Sequence, residues 1–163
     1  MMQKIKNGFS GIGRLTLLFL TFGLSAWTEA KTNTEQHSSQ KVSSMNIRFD
    51  IEGSNQPVFV TLQNSPTTQD FLKQLPLTLE LTDYASSEKI AYLPEKLTSQ
   101  DAPTGHPAKA GDITYYAPWG NLAIFYKDFN GVANSLIYLG KFEDLPPQFR
   151  QKNAVKVTIS NAS

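Results

Sequence analysis

The sequence predicts a mainly β protein, a closed barrel or sandwich with one or two short helices. Short apolar–polar alternations recur between residues 45 and 160, separated by clusters of Gly, Pro, Ser and Asn at strand-length spacing. The most aromatic stretch, Gly111 to Phe129, folds back at Ala117-Pro118-Trp119-Gly120, where Pro fixes φ and Gly accepts φ > 0. Ile113 and Tyr115 alternate with Thr114 and Tyr116 before that turn; Leu122, Ile124 and Tyr126 alternate with Ala123, Phe125 and Lys127 after it. A hairpin apolar on both faces must be covered on both sides, which suits a central pair of a closed sheet rather than an edge pair.

In chain order, residues 1–30 read as a secretory signal peptide. Lys4, Lys6 and Arg14 form a basic start, Leu15 to Leu24 an apolar core, and small residues follow at Ser25, Ala26 and Ala30. The apolar run, interrupted by Thr21 and Gly23, is short of the ~20 residues a bilayer requires, so the expectation is cleavage after Ala30 and no stable membrane insertion. The mature protein is then expected to be exported, periplasmic or extracellular. Residues 31–44 carry Val42 as their one aliphatic side chain and are expected to be a disordered lead-in, with His37 in it and without a role.

The domain proper is expected over residues 45–163. Met45, Ile47, Phe49 and Ile51 alternate with polar neighbours as a half-buried strand, Gly53 to Pro57 turns the chain, and Val58 to Gln63 returns. Thr67 with Asp70 resembles a capping box after Pro66; Phe71, Leu72 and Leu75 form the apolar face of a short helix stopped by Pro76, expected to plug a barrel end. Leu77, Leu79 and Leu81 start the next strand. Signals weaken over residues 83–110: a short strand around Ile90, Tyr92 and Leu93, a connection from Pro94 to Thr98, and a loop punctuated by Pro103, Gly105 and Pro107. Beyond the hairpin come a polar turn around Gly131, a strand over residues 135–140, a helical turn within residues 142–149, and a closing strand with Val155, Val157 and Ile159 on one face.

Composition narrows the chemistry. The 15 basic and 14 acidic residues become 12 and 13 once Lys4, Lys6, Arg14 and Glu29 leave with residues 1–30, and no basic block remains to attract nucleic acid. The chain has 0 cysteines, which excludes disulfides, thiolate metal sites and cysteine nucleophiles. No metal site, cofactor or catalytic residue is expected. His106 has no Gly-x-Ser-x-Gly elbow to serve and reads as a surface residue, and Glu80, Asp83 and Glu88 form no recognisable acid and base pair.

Gly111 to Tyr126 (GDITYYAPWGNLAIFY), with Leu136-Ile137-Tyr138-Leu139-Gly140 and Leu75-Pro76-Leu77-Thr78-Leu79, resembles the small cyclophilin-like family of bacterial proteins. The resemblance runs from about Met45 to Ser160 and implies a closed cyclophilin-like β-barrel with short helices. Cyclophilin prolyl isomerases place an Arg guanidinium against the prolyl nitrogen. Here Arg48 and Arg150 lie outside the Phe-His-Arg context, with its downstream Gln-Gly-Gly-Asp, that marks those enzymes, so no catalytic residue carries over. Two readings remain. One is a binding module whose aromatic cleft, drawn from Tyr84, Tyr92, Tyr116, Trp119 and Tyr126, holds a small molecule or an extended peptide. The other is a prolyl isomerase or another activity in the same cleft. Trp119, on its Pro-Trp-Gly turn, is expected at a barrel rim rather than in the core.

Overall fold

The computed structural model describes residues 45–162; the expected export signal, the polar lead-in and His37 lie outside the described residues. Ten strands form among the described residues: β1 (Met45–Ile51), β2 (Val58–Leu62), β3 (Leu77–Tyr84), β4 (Glu88–Tyr92), β5 (Gly105–His106), β6 (Asp112–Tyr116), β7 (Asn121–Phe125), β8 (Ala133–Asn134), β9 (Leu136–Lys141) and β10 (Val155–Asn161). Eight of them close an antiparallel barrel in the order β1-β10-β3-β4-β7-β6-β9-β2, and β5 pairs with β8 as a separate ribbon.

The β6–β7 hairpin takes the central position its two apolar faces require. β6 pairs with β9 on its other side and β7 with β4. Ile113, Tyr115, Leu122 and Ile124 join the main core with Phe49, Phe71 and Phe149. Ala123 and Phe125 belong instead to a second cluster with Ile90, Ala108 and Leu136, against which Tyr116 and Ala133 pack. The barrel thus has an inner core and a smaller apolar cover on one part of its outside. Phe125, 2% exposed, contributes about 1.5–3 kcal/mol to that cover.

The one α-helix among the described residues, α1 (Pro66–Lys73), packs Phe71 fully into the core, with Leu72 and Leu75 against it. Its cap differs from the expected one. Ser65 is the N-cap, its Oγ accepting from the Thr68 N–H at 3.1 Å, because Pro66 lacks an N–H and fits the first helical position. Thr67 bonds outside the helix instead, and Asp70 divides its oxygens between Lys73 of the same helix and a residue outside it. Thr67 Oγ1 donates to Thr98 O, and Asp70 accepts from Thr98 N–H, tying the β4–β5 connection to the helix. Tyr115 helps from inside the barrel, its hydroxyl accepting from Leu97 N–H at 3.0 Å. The helical turn expected within residues 142–149 is a 3-10 turn at Pro147–Arg150 that buries Phe149.

Where the chain passes between β3 and β4, Ala85 and Ser86 both take positive φ, 49° and 52°, and Tyr84 pairs with Glu88 across the turn. At the β2–β9 seam Leu62 faces Gly140, and Gln63 N–H donates to Leu139 O at 2.7 Å. A Cβ on Gly140 would lie 2.7 Å from the Leu62 side chain and 3.0 Å from Thr61 O, so the seam needs a glycine for close approach. Gly140→Ala is expected to cost about 1–3 kcal/mol, read as a lower denaturation midpoint, with hydrogen-exchange protection lost first along β2 and β9.

Candidate functional site

The strands around β7 leave a cavity of about 190 Å3 on the outside of the barrel. Its walls are Tyr84 at the end of β3, Tyr116 at the end of β6 and Trp119 on the turn between β6 and β7. Pro118 and Gly120 set that turn, Gly120 at φ 74° with its N–H donating to Tyr116 O at 2.9 Å. The Trp119 ring meets Tyr84 at 5.5 Å and 87° and Tyr116 at 5.5 Å and 81°, so both phenol rings stand nearly at right angles to the indole. Ile90, Phe125 and Leu136 give the apolar floor, continuous with the outer cluster. Phe129 and Ala133 come from the loop after β7 and from β8.

Two polar side chains enter this apolar setting. Glu88, at the start of β4 and opposite Phe125, is half-buried; burial pushes it up from 4.5 to about 7, and among the described residues no hydrogen bond or ion pair offsets that. Asn121, at the start of β7, is 2% exposed; its Nδ2 donates to Leu122 O, while its Oδ1 is buried without a hydrogen-bond partner among the described residues. No Lys, Arg or His among the described residues lines the cavity.

Of the five aromatic residues expected in a cleft, Tyr84, Tyr116 and Trp119 meet there. Trp119 is 44% exposed, on the turn as expected, although the cavity opens on the outer face of the sheet rather than into the barrel mouth. Tyr92 is 62% exposed and apart from the cavity. Tyr126 is engaged elsewhere: its hydroxyl donates to Asp83 at 2.7 Å, and Lys89 Nζ lies 5.9 Å from its ring centroid. Lys89 is fully buried, 3.2 Å from Asp83, and donates to Asn153 O at 2.8 Å. Asp83 is therefore held below its ordinary value, first by the Tyr126 hydroxyl and then by Lys89, while burial and that carboxylate push Tyr126 up to about 12. This is a structural cluster in which each charge has a partner.

Reasoning from residue type alone passes over Asn121 and sets Glu88 among unpaired acidic residues. The available signal is placement: Glu88 opens a strand whose neighbours Lys89, Ile90 and Ala91 are all buried, a poor position for a solvated carboxylate.

His106 is not the surface residue expected. It lies on β5, Nε2 2.8 Å from Asp112 Oδ2, with its ring 5.0 Å from that of Tyr138. Asp112 is 3% exposed and also accepts from Lys109 N–H at 2.8 Å, so the pair fastens the Pro-rich loop to β6. A cavity of about 250 Å3 adjoins His106, and two of its hydroxyls are committed: Ser65 caps α1 and Thr67 bonds Thr98 O. Arg48 makes a two-pronged contact with Asp50 on the exposed face of β1, and Arg150 lies beside Tyr126 and Lys127 in a separate groove. Neither arginine lines the aromatic cavity. Among the described residues no group of three or more His, Cys, Asp or Glu could hold a metal ion.

A closed antiparallel barrel with a short helix and an aromatic cavity on its outer face defines the class of this molecule. The model of the cyclophilin-like family matches residues 51–160, more than half of the chain, and the protein belongs to that family. Among solved structures, a hypothetical protein of Archaeoglobus fulgidus determined in solution is similar at a TM-score of 0.48 and 15% identity, over 73% of this chain and 95% of that one. A search of curated proteins gives no match.

Two outcomes follow from this geometry. Trp119→Ala is expected to cost about 1 kcal/mol, against about 3–5 kcal/mol for the fully buried Tyr115→Ala, as read by chemical denaturation of each variant. Between about pH 4.5 and 7 the folded protein retains on Glu88 a proton that the unfolded chain releases. Folding stability from this group therefore falls as pH rises through that window, and the penalty is complete above it. Glu88→Gln should match the wild type below about pH 4.5 and become progressively more stable than it above, reaching a constant gap beyond about pH 7.

Proposed function

We propose that this protein is an exported binding module that holds a small, ring-sized molecule in the outer aromatic cavity. The carrying observation is the meeting of Tyr84, Tyr116 and Trp119 around a cavity that also draws a carboxyl, Glu88, partly out of water without a partner among the described residues. Three aromatic rings offer stacking area at small conformational cost, and a desolvated carboxyl without a partner is the kind of local expense that binding sites carry. At about 190 Å3 the cavity falls below the ~300–1,000 Å3 of sites for drug-sized ligands, so it suits one ring or one short substituent better than an extended peptide. Placement outside the cytoplasmic membrane rests on the composition of residues 1–30. The prolyl isomerase reading is the weaker one: it needs a guanidinium beside the pocket, and Arg48 is occupied by Asp50 while Arg150 lies in another groove.

The test is a thermal-shift screen of small ring compounds and short peptides against the mature domain, followed by titration on the emission of Trp119, the one tryptophan after residue 30. Ring compounds are expected to raise the midpoint of the wild type and to lose that effect with Tyr84→Ala or Trp119→Ala. The same preparation is expected to leave X-Pro exchange at its uncatalysed rate of tens to hundreds of seconds. Acceleration abolished by Arg48→Ala or Arg150→Ala would reverse the assignment.

A further inference from the structure

We infer that the ligand of the outer cavity carries an organic ammonium group, a protonated primary or secondary amine on an apolar body, which sits among the three aromatic rings with its N–H groups directed at Glu88 and Asn121. This rests on the binding-module reading above and names the chemistry of its ligand.

Three independent features of the cavity share one electrostatic sense. The faces of Tyr84, Tyr116 and Trp119 carry the negative lobes of their quadrupoles, and rings standing at 81° and 87° to the indole form walls rather than a flat stack. Such walls attract a cation placed between them. Glu88 adds a carboxyl that no cation among the described residues neutralises. Asn121 adds a buried carbonyl oxygen without a donor among them. A buried acceptor left unpaired is costly, and a ligand N–H removes that cost.

An anion would face the carboxyl and the carbonyl oxygen with no cationic side chain among the described lining residues to receive it. A neutral ring would use the walls and leave Glu88 uncompensated. An ammonium group satisfies all three features, and its apolar body covers Ile90 and Phe125.

The contrast with Lys89 supports this. Lys89, the next residue on β4, is paired with Asp83 beneath Tyr126, so that this strand already supplies one ammonium–carboxylate–aromatic grouping from within the chain. Glu88 and its aromatic neighbours have no such cation among the described residues.

The groups facing Glu88 are the Tyr84 phenol across the β3–β4 turn, the Tyr116 phenol and the Asn121 amide from β6 and β7, and the Tyr126 phenol, which interacts with it electrostatically. Glu88 is the one carboxyl lining the cavity among the described residues. Cation binding should therefore withdraw its proton, and affinity for a cation should rise with pH across the neutral range while affinity for a neutral analogue should not.

The experiment compares benzylamine, protonated at pH 8, with benzyl alcohol and benzoate, near-isosteric neutral and anionic analogues, titrated into the mature domain by Trp119 emission and calorimetry. The expected result is benzylammonium at least tenfold tighter than benzyl alcohol, with benzoate weakest. Glu88→Gln should cut the amine's advantage to within about threefold. Amine binding should weaken at pH 6 and release protons to the buffer.

Equal or tighter binding of benzyl alcohol or benzoate, still lost in Trp119→Ala, overturns the ammonium assignment and leaves the ring-binding module standing. Absence of binding by all three, in a protein whose thermal-shift screen yields other ring ligands at this cavity, also overturns it. Absence of any ring ligand overturns both. An amine advantage that survives Glu88→Gln undiminished and shows no pH dependence overturns the stated role of Glu88 and with it the geometry of the proposal.

Discussion

The β6–β7 hairpin has to be buried on both faces, and the architecture follows from that demand. Its inner residues Ile113, Tyr115, Leu122 and Ile124 are all fully buried, and they draw β1, β3 and β10 around them to close a barrel. Its outer residues Ala123 and Phe125 need a second cover, which Ile90, Leu136 and the chain around Ala108 and Ala133 supply. The small β5–β8 ribbon is part of that cover rather than of the barrel wall. Its loop is held down by the buried Asp112 carboxylate, which receives both His106 and the Lys109 N–H.

The cavity is where this outer cover stops. Beyond Phe125 and Leu136 the sheet stays apolar, but the aromatic side chains Tyr84, Tyr116 and Trp119 stand up around it instead of filling it. Trp119 does so from a turn made by Pro118 and a Gly120 with positive φ, with its indole against Tyr84 and Tyr116. The consecutive β4 residues Glu88 and Lys89 then meet opposite fates. Alternation along the strand sends Lys89 into the structure, where Asp83, Tyr126 and Asn153 O satisfy it, and leaves Glu88 in the apolar cavity without a partner among the described residues. A buried cation with a full set of partners is architecture. A desolvated carboxyl with none among the described residues is a cost that the fold leaves standing.

Period-2 alternation was enough to determine β1, β3 and β10 from the sequence, because each has one face in the core and one in water, and the turn residues after β1 marked β2 as the returning strand; the burial of β1 alternates as its residues do. The two-sided apolarity of residues 111–126 likewise determined that the hairpin lies inside a closed sheet, and Pro118 with Gly120 that Trp119 lies on a turn. Tertiary structure decided the rest, for identifiable reasons. The β3–β4 hairpin leaves no clear mark in the sequence because Ala85 and Ser86 adopt left-handed φ that Gly or Asn would have advertised, and backbone hydrogen bonds of Ser87 to Tyr84, Tyr126 and Lys127 close the turn. The cap of α1 fell to Ser65 because Thr67 and Asp70 had partners in Thr98, at separations of 31 and 28 residues, that no local pattern reveals. Tyr84, Tyr92 and Tyr126 look alike as residues, but register and closure place Tyr84 beside Trp119, leave Tyr92 in solvent and bond Tyr126 to Asp83. Which aromatic rings share a cavity, and which carboxyl is left alone among them, depends on strands brought together across the barrel. Residue type and spacing carry no record of that.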